Sequence, residues 1–139
     1  MFEGYLHRFP FRVYFGDTDA AGIVYYANYL HFTERARTEM MRGIGMASSG
    51  TMANEGVALA VRHCKVEYLR PARLDDELTV ETTVKKVGGA SLKLYQVVVR
   101  DGEALVAMDL KLGCMSINGG RVARMPHALR KRLVEHIEG

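Results

Sequence analysis

A chain of 139 residues with 48% hydrophobic and 25% charged residues has material for one buried core and too little length for two. It therefore reads as a single domain over residues 1–139 and not as a disordered chain. Lys and Arg total 19 against 16 Asp and Glu, and a net charge of +3 is too mild to declare a nucleic-acid partner, although it suits a phosphate-bearing small molecule. The first eight residues lack a basic segment followed by an apolar run, and no stretch approaches the ~18 apolar residues of a membrane span, so a cytoplasmic protein with no membrane span is expected.

Phe9, Phe11, Val13 and Phe15 alternate with Pro10, Arg12 and Tyr14, which predicts a strand over residues 8–15 with one apolar face. The strand delivers Gly16-Asp17-Thr18-Asp19-Ala20-Ala21-Gly22-Ile23-Val24-Tyr25-Tyr26-Ala27-Asn28-Tyr29, a loop with an Asp-x-Asp pair between two glycines. Such a loop can hold a carboxylate beside closely approaching backbone, because glycine admits positive φ and presents no side chain to a ligand. It feeds a helix whose first N–H groups have no intrahelical partner and can polarise a carbonyl oxygen, an arrangement that suits acyl transfer. The structural alternative is that Asp17 and Asp19 only close side-chain turns within the loop.

From about Ala27 the period becomes helical, with Tyr29, Leu30, Thr33, Ala36, Met40 and Ile44 on one stripe and Gly43 and Gly45 marking the end. Residues 46–56 are small and polar and hold at most a short turn. Val57 to Arg70 reads as a long strand ended by Pro71, with Cys64, Val66 and Tyr68 inward and His63, Lys65 and Glu67 outward. Cys64 and Cys114 are expected to be buried reduced thiols, since neither has a neighbour at metal-ligand spacing, and His63 to be a surface histidine.

Three further strands follow, turned at Gly88-Gly89, Asp101-Gly102 and Asn118-Gly119-Gly120. Leu92, Leu94, Gln96 and Val98 share one face, and Ala104, Val106, Met108, Leu110, Leu112 and Cys114 another. A terminal helix from His127 to Glu138 carries Leu129, Leu133, Val134 and Ile137 at helical spacing. One long helix among hairpin-connected strands implies an α+β fold, an antiparallel sheet packed on that helix.

The run from Gly16 to Tyr29 resembles the signature of the 4-hydroxybenzoyl-CoA thioesterase family of hot-dog-fold acyl-CoA thioesterases. Phe32-Thr33-Glu34-Arg35-Ala36-Arg37-Thr38-Glu39 is similar to the helix of the acyl-CoA thioesterases associated with the Tol-Pal system, and the strand pattern fits over almost the whole chain. The resemblance implies a hot-dog fold, an antiparallel sheet wrapped around one long helix, assembled as a homodimer or homotetramer with sites at subunit interfaces. It implies hydrolysis of an acyl-CoA substrate without metal or cofactor, with Asp19 as nucleophile or general base and the Tyr26 backbone N–H meeting the thioester oxygen. Among the substrate-binding positions, Asp17 either holds the loop by accepting backbone N–H bonds or keeps Asp19 in position by charge repulsion and shared donors, and Gly22 would let the acyl group pass close to backbone. Lys85, Lys86 and Lys93 are candidates for the Coenzyme A phosphates, with a solvated strand face as the alternative for each.

Three departures accompany the resemblance. The Tol-Pal-associated enzymes carry His where this chain has Tyr26 and Tyr where it has Phe15, and the hydroxybenzoyl enzyme carries basic residues where this chain has Gly88-Gly89-Ala90-Ser91. A non-hydrolytic protein that binds acyl-CoA or an acyl carrier protein is the alternative function. A hot-dog dehydratase would place a His in the loop or helix start, and residues 16–30 contain none.

Overall fold

The computed structural model describes residues 2–3, 6–46 and 56–138. Strands β1 (Phe2–Glu3) and β2 (Leu6–Arg12) lead to a 3-10 turn at Phe15–Asp17 and helix α1 (Asn28–Gly43). Strands β3 (Val57–Tyr68), β4 (Glu77–Val87), β5 (Ser91–Arg100) and β6 (Glu103–Ser116) follow, and helix α2 (His127–Glu138) ends the chain. Most of the short polar connection expected at residues 46–56 lies outside the described residues.

All six strands form one antiparallel sheet in the order β1-β2-β4-β5-β6-β3. The β5–β6 hairpin turns on Asp101 and Gly102, both at positive φ (51° and 78°), as a tight hairpin of the right twist requires. Gly45, at φ +84° just past α1, ends the helix where its sequence expectation placed the stop.

Helix α1 lies on one face of the sheet against β2, β4 and β5. Its Tyr29, Phe32, Thr33, Ala36 and Met40 are buried, and the Phe32 ring meets Phe11 at a centroid separation of 4.6 Å. Each such apolar side chain contributes on the order of 1.5–3 kcal/mol on leaving water. One polar node interrupts this core. The fully buried Gln96 donates to the Thr33 carbonyl and the Thr82 hydroxyl and accepts from the Arg37 guanidinium, each at 3.0 Å. A buried amide left unpaired would cost ~1–3 kcal/mol, so these bonds hold α1 to one register on the sheet.

Strand β3 is different. Cys64, Val66 and Tyr68 lie on the helix side as the alternation predicts, but Cys64 is exposed, where a buried thiol was expected. α1 packs chiefly over β2, β4 and β5, and β3 meets it mainly through Tyr68 and Tyr29; among the described residues one edge of β3 pairs with no strand. The sheet with α1 on its face is the α+β hot-dog arrangement.

Candidate active site

The loop after β2 is held by its own carboxylates first. Asp17 accepts the Tyr14 N–H at 2.9 Å, and Thr18 returns both its N–H and its hydroxyl to the Phe15 carbonyl at 3.1 and 2.8 Å. From Thr18 to Val24 the chain makes a miniature hairpin: Asp19 N–H bonds to the Ile23 carbonyl at 2.9 Å and Gly22 N–H to the Asp19 carbonyl at 3.1 Å. Gly22 sits at φ +79°, a backbone state costly for a residue with Cβ. At the hairpin tip one Asp19 oxygen accepts the Ala21 N–H at 2.8 Å, while the other meets no donor among the described residues and the side chain is exposed.

The hairpin and the helix start form one unit because both are tied to the Asp17 carbonyl, which accepts the Tyr25 N–H at 3.1 Å and the Asn28 side-chain amide at 2.9 Å. Among the described residues the N–H groups of Tyr26 and Ala27 find no acceptor, leaving two consecutive donors open at the N-terminus of α1. A carboxylate with one free oxygen, locked to a helix start with open donors, has the parts that attack and polarise an acyl carbon.

The connection after β3 cradles this unit, a role its sequence did not reveal. Val24 N–H bonds to the Ala72 carbonyl at 2.9 Å, Leu74 N–H to the Gly22 carbonyl at 3.1 Å, and Ala72 N–H to the buried Tyr29 hydroxyl at 3.0 Å. Burial pushes the Tyr29 hydroxyl above its ordinary pKa, so it stays protonated. The cradle is fastened by Asp76, which takes the Arg73 N–H at 2.8 Å and the Arg100 guanidinium at 2.7 Å. Burial alone would raise the Asp76 pKa, but these donors outweigh it and hold the carboxyl below its usual range.

Lys85, Lys86 and Lys93 lie elsewhere. They project from the outer face of the sheet near the β4–β5 turn, whereas the loop adjoins the other end of β4, where Arg12 pairs with Glu77. Nine residues of strand separate Glu77 from Lys86, roughly 30 Å at about 3.3 Å per residue. The strand register instead lines up Lys86, Lys93, Lys111 and His63 directly across four adjacent strands, with the Lys85 amine 5.6 Å from the Tyr95 ring centre. Within one chain, then, Asp17, Asp19, Gly22 and Tyr26 come together and the three lysines do not join them. Among the described residues no cluster of three or more His, Cys, Asp or Glu is placed to hold a metal ion, and no helix is long and apolar enough to cross a membrane.

The fold and loop define a hot-dog protein built for acyl chemistry, and comparison with known proteins places it further. The profile of the Thioesterase-like superfamily matches residues 13–133, and the chain belongs to that superfamily. It is 37% identical over 122 residues to the acyl-CoA thioesterase YbgC of Haemophilus influenzae, covering 88% of this chain and 90% of that one. To the acyl-CoA thioester hydrolase YbgC of Escherichia coli O6:H1 it is 48% identical over 101 residues, 73% of this chain and 75% of the relative. The crystal structure of a probable thioesterase from Bartonella henselae superposes with a TM-score of 0.80 at 32% identity, covering 87% of this chain and 99% of that one. The protein is a thioester hydrolase.

Proposed function

We propose that this enzyme hydrolyses acyl-CoA thioesters, with Asp19 as nucleophile or general base and the Tyr26 N–H as donor to the thioester oxygen. The observation that carries the reading is the Asp19 carboxylate itself, anchored by one oxygen on Ala21 N–H and open at the other, on a hairpin tied through Asp17 to the open start of α1. The YbgC relatives, named as acyl-CoA thioesterases, supply the substrate class.

In the nucleophilic route Asp19 attacks the thioester carbon, the Coenzyme A thiolate leaves, and water then opens the mixed anhydride to free acid and the restored carboxylate. In the base route Asp19 takes a proton from water as the water attacks, and passes it to the departing thiolate. Both routes place negative charge on the same oxygen, which the Tyr26 N–H stabilises. Asp17 acts by holding the loop, and Gly22 leaves room for the acyl group beside the backbone.

The active unit is at least a dimer. Among the described residues β3 leaves an unpaired edge, and beside it Val61, Tyr68, Tyr25 and Tyr26 are exposed, an apolar margin that a second copy would cover. Because the lysines stand roughly 30 Å of strand from their own loop, any contact they make with Coenzyme A phosphates is to the substrate of another subunit.

The test is release of free thiol from a panel of short, long and aromatic acyl-CoA thioesters by the wild type and by Asp19→Asn. Removal of the charge should lower kcat ~10²–10⁴-fold while binding of a non-hydrolysable analogue persists. Near wild-type kcat in Asp19→Asn would overturn the assignment.

A further inference from the structure

Tyr68 ends β3 on the helix side of the sheet, and its ring stands between two tyrosines of the site. It meets the Tyr26 ring edge-on at 6.0 Å and 86°, and the Tyr29 ring at 5.8 Å and 58°. Its hydroxyl donates to the Tyr26 carbonyl at 3.2 Å. Among the described residues that carbonyl has no other donor. In an unbroken helix it would take the Leu30 N–H, but Leu30 donates to the Ala27 carbonyl at 3.2 Å instead.

The Tyr26 carbonyl belongs to the same peptide plane as the Ala27 N–H, and the Tyr26 N–H lies one plane before it. Fixing this carbonyl therefore restricts both open donors at the start of α1. A hydrogen bond received by an amide carbonyl also polarises the amide and strengthens its N–H as a donor. On the acyl-transfer reading above, we propose that Tyr68 is a positioning residue: it clamps the Tyr26–Ala27 peptide so that the two open N–H groups stay aimed at the thioester oxygen.

The clamp joins the free-edge strand to the helix start, so the strand at the open margin of the chain sets the geometry of the oxyanion donors. The Tyr29 hydroxyl is engaged with the Ala72 N–H, and it is the Tyr68 hydroxyl that reaches the Tyr26 carbonyl. A pure packing role for Tyr68 would need only its ring.

The deciding variant is Tyr68→Phe, which keeps the ring and removes the hydroxyl. Loss of a whole oxyanion donor costs ~10²–10³-fold in kcat, and loosening two donors without removing either should cost a part of that, ~10-fold. KM and the thermal midpoint should stay close to wild type, while the amide resonances of Tyr26 and Ala27 shift and their hydrogen exchange quickens. A purely structural tyrosine would leave kcat within about twofold, or leave those amides unmoved, and either result overturns the proposal. Tyr68→Leu, which removes ring and hydroxyl together, should add a loss of thermal stability that Tyr68→Phe lacks; equal losses in both would overturn it too. If the wild type released no thiol from any acyl-CoA, the substrate reading would fall separately, and the amide shifts in Tyr68→Phe would still decide whether the clamp exists.

Discussion

Strands β5 and β3 carry the same kind of alternation and meet different fates. In β5 the helix-side residues Leu92, Leu94, Gln96 and Val98 are at most 2% exposed, because β4 and β6 flank the strand and α1 lies over it. Among the described residues β3 has β6 on one side only, and Val61 and Tyr68 are each 48% exposed. Alternation in a sequence records which side of a strand is meant to be covered, and is silent on whether the cover comes from the same chain. Among the described residues the apolar pattern of β3 thus has no cover like that over β5. The candidate site lies at the same margin, where Tyr25 and Tyr26 are also exposed.

The largest contrast should appear in stability. Leu94→Ala opens a cavity under α1 and should cost ~2–5 kcal/mol in urea unfolding, whereas Val61→Ala on β3 should stay within about 0.5 kcal/mol for the isolated chain. The same Val61→Ala should weaken self-association measured by light scattering. Equal stability losses at both positions in dilute protein would show that the chain completes β3 by itself.

A second effect belongs to the completed half alone. His7 lies on β2 opposite Thr82, is 2% exposed, and is held from its ordinary 6.5 down to about 4, chiefly by burial. Between those values the unfolded chain binds a proton that the folded chain refuses, so stability falls as pH drops from about 6.5 to about 4 and the loss is complete below that. The shift bounds the effect at about 3 kcal/mol, using ~1.36 kcal/mol per unit. Urea midpoints measured from pH 8 to 4 should show this slope in the wild type and a shallower one in His7→Gln; an unchanged slope would acquit His7.

Much of this division can be traced to what a sequence states locally. The bounds of α1, the stop at Gly45, the Asp101-Gly102 hairpin and the inner face of β5 follow from period and turn chemistry, which act over a few residues. Gln96 was legible as an inward residue, yet its bonds to Thr33, Thr82 and Arg37 join three elements, so its role as a node was not. Cys64 was misjudged for a related reason: its alternation is right, and the missing cover is a property of where α1 ends up. At the site, Asp17 and Asp19 stand out by spacing, and both make the loop-holding bonds of the structural alternative. Each engages one carboxylate oxygen, Asp17 with the Tyr14 N–H and Asp19 with the Ala21 N–H, and Asp19 is the more exposed of the two. The cradle at residues 69–76 and the Tyr68 hydroxyl escaped notice because they act across the sheet on a segment some 40 residues away.

The smallest expected effect concerns no stability at all, and it separates the two regions within one experiment. The chain has one cysteine in each: Cys64 on the helix side of β3, exposed, and Cys114 on β6, 1% exposed. Both thiols are pushed above their ordinary pKa by burial, so the contrast in reactivity rests on access, Cys64 being exposed and Cys114 buried. In dilute protein a thiol reagent should reach Cys64 quickly and Cys114 only through opening of the fold. If a second copy covers β3, raising the protein from nanomolar to micromolar concentration should slow Cys64 labelling and leave Cys114 labelling as slow as before. The comparison is internal, since both rates come from one chain under one condition. Fast Cys64 labelling that ignores concentration would mean that the edge of β3 stays open in solution, and the external completion of that strand would have to be given up.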